Sequence, residues 1–171
     1  MRFNKFSSGE KRKTETKEEE YHTYLSSAKD WKLTVDLESS LKIPRDICNT
    51  SLRPDLILVS RKTKQMGILE LTVPNEDRIE VSGELKRAKY EPIAHEAKQN
   101  GWSVRIWAVE VGCRGFPAVS MSTFFKDLGY KGSGKKRAIE RISKAAEEAS
   151  HSLWKASHFK EWGGVKKASA Q

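Results

Sequence analysis

Only two cysteines, Cys48 and Cys113, occur in 171 residues. Two thiols cannot build a disulfide framework, and so few of them point to a reducing compartment. No apolar run approaches the roughly 20 residues that cross a bilayer, so no membrane span is expected. Met1-Arg2-Phe3-Asn4-Lys5 is followed by polar residues, so no secretory leader is expected either. The four histidines and two cysteines lack the ligand spacing of structural zinc. His95-Glu96 is followed by Gln99 where a zinc protease needs histidine. There is no repeat, and the one low-complexity stretch is the Gly/Ser/Lys run at 129–136.

What the chain has in excess is positive charge. Lys and Arg number 32 against 23 Asp and Glu, a net +9. With 37% hydrophobic and 32% charged residues, one domain can build a core beneath a strongly polar surface. The charge is uneven: residues 131–171 hold ten Lys/Arg against four Glu, +6 of the total. Residues 1–30 are mixed, with seven basic and six acidic side chains, and read as a solvated end running into a helix. A basic domain of this kind points first to a polyanion, of which nucleic acid is the commonest.

Between the ends the pattern alternates in blocks. Residues 31–36 read as a strand, 55–60 as a short buried strand, and 66–73 as a third, stopped by Pro74-Asn75. Residues 79–100 read as a helix ended by Gly101, with Pro92 expected to kink or break it near Tyr90. Residues 102–111 form a long strand, and helices are expected over 119–128 and 135–154. The first three strands are expected as a meander and the fourth as a crossover addition, giving an α/β architecture. Three units result: a charged segment at 1–30, a core at 31–128 and a basic helical extension at 129–171.

The informative residues are acids inside apolar strands. Asp55 opens one strand and Glu70 lies mid-way along the next, where Ile68, Glu70 and Thr72 share a face. A buried glutamate needs its charge compensated. Either a divalent cation does this, with Asp55 as a second oxygen ligand, or Glu70 sits at an edge paired with Lys or Arg. Ile79, Gly83, Lys86, Tyr90, Ile93 and Ala97 are spaced by 4, 3, 4, 3 and 4 and form one helical stripe. The stripe carries Lys86 and Tyr90 toward the acids; Lys86 either snorkels to the rim or serves a site.

These residues resemble the PD-(D/E)xK nuclease pattern. Pro54-Asp55 matches its first half and Glu70-Leu71-Thr72 its second, with Thr72 where the pattern has lysine. In some branches the lysine migrates to the following helix, where Lys86 stands. Arg53-Pro54-Asp55, Glu70, Lys86 and Tyr90 are most similar to the restriction-like endonuclease domain of site-specific non-LTR retrotransposons, over roughly residues 31–116. The resemblance implies a restriction-endonuclease-like core, a mixed central sheet flanked by helices, extended by the basic C-terminal helix. It implies cleavage of DNA, with Mg²⁺ or Mn²⁺ held by Asp55, Glu70 and the Leu71 backbone carbonyl. Lys86 would orient the attacking water or neutralise charge on the phosphoryl oxygens, and Tyr90 would bond a phosphate, hold Lys86 or simply pack. Glu20 is a candidate further acid. The alternative is an inactive nucleic-acid-binding derivative of the same fold.

Phosphate grip is expected from Arg53, Arg78, Lys89, Arg114, Lys135, Lys136 and Arg137. A nuclear location follows, with a homodimer or a larger mobile-element protein as the setting. Gly129 to Lys136 nearly spells a P-loop but follows a helix pattern and lacks the final Ser/Thr, so it reads as a basic loop. Cys113 reads as an inert thiol, and Trp154 and Trp162 as packing residues or base-stacking platforms.

Overall fold

The computed structural model describes residues 22–158. Four strands form one sheet in the order β1-β2-β3-β4: β1 Lys32–Val35, β2 Leu56–Ser60, β3 Gln65–Thr72 and β4 Ser103–Glu110. β1, β2 and β3 pair antiparallel, and β4 joins β3 in parallel. The crossover between β3 and β4 is α1, Ile79–Gln99; α2, Val119–Asp127, and α3, Gly132–His158, follow β4. This is the expected meander with a crossover, a mixed α/β sheet flanked by helices.

The central strands are apolar on both faces because both are covered. Ile57, Val59, Met66 and Ile68 pack with Tyr90, Ile93 and Ala97 of α1 and with Leu41, Ile43, Ile47 and Cys48 of the preceding loop. Leu58, Trp107 and Val109 face the other way, onto Met121 and Phe125 of α2 and Ala146 of α3. The molecule is therefore three layers, with α1 on one side of the sheet and α2 and α3 on the other. Tyr24, Leu25 and Trp31 pack into the second cluster too, beside Ala138, Ile139 and Ile142 of α3. β1 lies at the sheet edge, and Leu33 and Val35 remain exposed there.

Two expectations change. α1 runs unbroken through Pro92. Proline removes only the bond to the Ala88 carbonyl, and Ala88 and Pro92 both face solvent, so water can serve that carbonyl. The helix stops where Gly101 takes φ +77, a left-handed conformation glycine adopts without strain. Residues 129–136 are not one loop, because α3 starts at Gly132 and places Lys135, Lys136 and Arg137 on its first turns. Glu20, Trp162 and the first 21 residues of the charged segment at 1–30 lie outside the described residues. Among the described residues no helix is long and apolar enough to cross a membrane.

Candidate active site

The antiparallel register brings the two acids together. Leu56 pairs with Leu69, so continuing one step sets Asp55 opposite Glu70. Asp55 Oδ2 accepts a hydrogen bond from the Leu71 backbone N–H at 2.7 Å, which ties the start of β2 to the end of β3. Asp55 itself is exposed, whereas Glu70 is only 4% exposed.

The α1 stripe closes over Glu70. Lys86 Nζ donates to Glu70 Oε1 at 2.5 Å, and Lys89 Nζ reaches the same oxygen at 3.3 Å. The fully buried Tyr90 donates its hydroxyl proton to Glu70 Oε2 at 2.7 Å; the Arg53 carbonyl is the alternative acceptor at 3.0 Å. Lys89 also donates to the Tyr90 hydroxyl oxygen at 3.1 Å. Burial opposes charge on Glu70, but the hydrogen bonds from Lys86 and Tyr90 and the charges of Lys86 and Lys89 outweigh it. Its carboxyl is held below the ordinary range. Burial, the bond to Glu70 and the charges of Glu70 and Asp55 push the Tyr90 hydroxyl far above its usual value, so it stays a donor.

The donor set suits a hard cation. A carboxylate offers about four lone-pair positions; Glu70 uses three within the chain, and Asp55 uses one oxygen. Among the described residues no three His, Cys, Asp or Glu side chains gather into a ready-made metal cage. Two carboxylates without a third fit a magnesium-like ion, which keeps several waters, better than a closed zinc centre.

The expected phosphate contacts do not all meet here. Arg53 adjoins the site, but its guanidinium donates to the Ser39 carbonyl. Lys89 is turned inward to Glu70 and Tyr90. Arg78 is exposed at the N-terminal end of α1. Arg114 is paired with Glu76 at 3.0 Å. Lys135, Lys136 and Arg137 ride on α3, across the sheet from α1, so the structure does not join them to the acids.

One acid escapes the sequence reading. Glu110, the last residue of β4, is 3% exposed and pairs in register with Thr72, two residues beyond Glu70 on the same face. Its signal was there, an acid ending the apolar run Ile106 to Val109, but strand ends commonly carry polar residues. Cys48 and Cys113 are free; burial and then Glu96, whose Oε2 accepts from the Cys48 thiol at 3.0 Å, push Cys48 up to about 12.

No family model and no curated protein matches this chain. Among solved structures, its fold is similar to one described as a Toscana virus cap-snatching endonuclease, at a TM-score of 0.40 and 16% identity. The alignment covers 60% of this chain and 48% of that one, so this chain spans under half of that protein.

Proposed function

We propose that the chain is a metal-dependent endonuclease that hydrolyses phosphodiester bonds in DNA, of the type found in the restriction-like endonuclease domains of non-LTR retrotransposons. The observation that carries this reading is that Lys86 and Tyr90, from the middle of α1, bond Glu70 near the end of β3, with Asp55 opposite it in the sheet register. Asp55, Glu70 and the Leu71 carbonyl would hold Mg²⁺ or Mn²⁺, which when bound polarises a phosphate and acidifies water. Tyr90 holds the Glu70 carboxylate in place through its hydroxyl. Lys86 gives the site a cation one salt bridge away from Glu70, free to exchange that partner for a phosphoryl oxygen. Lys89 can make the same exchange toward the DNA backbone. Thr72 stands on the strand where the pattern has lysine, and the lysine role passes to Lys86.

A second reading has its own support. Glu70 is already neutralised by Lys86 and Lys89, which is how an inactive nucleic-acid-binding derivative would keep its fold without metal. Nicking of supercoiled plasmid with Mg²⁺ or Mn²⁺ separates the two. The nuclease reading expects nicking that Asp55→Asn and Glu70→Gln each abolish. Salt-sensitive binding without nicking selects the second reading, and neither cutting nor binding overturns both.

A further inference from the structure

We infer that the cavity over Glu110 is a binding site for an organic cation, an alkylammonium or guanidinium group. The cavity, of about 630 Å³, lies between the first half of α1, the end of β4 and the start of α2. Glu110 forms part of its floor. Its Oε2 accepts from the Ser120 hydroxyl, but its Oε1 is buried without a partner, and so is the adjacent Thr72 hydroxyl. A buried carboxylate oxygen with no donor is costly unless a ligand or ion completes it. Gly83 lets α1 come down closely on it: a Cβ there would stand 2.7 Å from Oε1 and 3.3 Å from an Arg87 guanidinium nitrogen.

The walls select the ligand. Asp77, Glu80 and Glu84 join Glu110 around the cavity, with Glu76 already paired to Arg114, against Arg87 as its one basic lining residue. On a chain of net +9 this is a local reversal of sign. Phosphates are repelled here, so nucleic acid is a poor occupant. An organic cation brings the N–H donors that Oε1 lacks. Its alkyl part would lie against Ile79 and Val119, and its charge against the exposed Phe116 ring. The group could belong to a free polyamine or to a basic side chain of a polypeptide.

Calorimetry on the full chain at moderate salt distinguishes the sources, with spermidine and a Gly-Arg-Gly-Arg-Gly peptide as probes. At least one should bind, and the tighter one names the source. Glu110→Gln keeps the Ser120 contact and should weaken binding by about tenfold or more, the worth of one charge-assisted hydrogen bond. The Glu80→Gln/Glu84→Gln double variant, at two exposed positions, should weaken it several-fold. Asp55→Asn should leave it unchanged, which keeps this site separate from the nuclease reading. No binding of either probe, equal binding by Glu110→Gln, or Mn²⁺ occupying the site in preference to both would overturn the inference.

Discussion

Tyr90→Phe isolates one hydroxyl in an otherwise unchanged core. The ring is fully buried and its packing survives the substitution. What is lost is the donor to Glu70 Oε2 at 2.7 Å and the acceptor for Lys89 at 3.1 Å. A hydrogen bond to a charged partner contributes roughly 1.5–3 kcal/mol, so the variant should be about 2 kcal/mol less stable at neutral pH. For a chain of this size that corresponds to a Tm lower by about 4–8 °C, readable by circular dichroism or urea titration. The pH dependence sharpens the test. The Glu70 carboxyl is lowered in the folded state, so its stabilisation is present above the unfolded value and disappears as pH falls through the folded one. Removing Tyr90's donor reduces that lowering, so the wild type has more to lose. The gap between the two proteins should therefore narrow as pH drops below about 4. A variant within about 0.5 kcal/mol of wild type at pH 7 would refute the reasoning. So would a gap that stays constant into acid.

Asp55→Asn keeps an acceptor for the Leu71 N–H, so it should fold as wild type while losing metal-dependent nicking; loss of folding would show that the charge itself is structural. Lys86→Met should lower the nicking rate by about a hundredfold or more with plasmid binding little changed, checked by single-turnover cleavage. Gly83→Ala should destabilise by about 1 kcal/mol or more despite alanine's better helix propensity, because the new Cβ meets Glu110 Oε1. In a Glu110→Ala background the same change should turn stabilising. Native Cys48 should resist iodoacetamide at pH 8, since its thiol is held near 12; rapid labelling would mean the loop from Leu41 to Cys48 opens readily.

Periodicity is a local property, and what depends on it was legible in the chain. The alternation of Ile68, Glu70 and Thr72 put the glutamate on the face beneath α1, and the stripe from Ile79 to Ala97 put Lys86 and Tyr90 above it. The pairing of those faces needed only the antiparallel step from β2 to β3. Tertiary structure decided the rest. Lys89 reads as a phosphate contact because sequence shows a charge and not its partner; the packing of α1 also brings it within reach of Glu70. Arg114 is held by Glu76 from a segment 38 residues earlier. Pro92 was expected to interrupt α1, but Tyr90 and Ile93 on either side of it are buried against the sheet. Glu110 shows the division most clearly. Its position at the end of a strand is written in the sequence, but its burial arises only where Gly83 of α1 and Ser120 of α2 close around it. Such burial is a sum over contacts distant along the chain, and no local pattern encodes it.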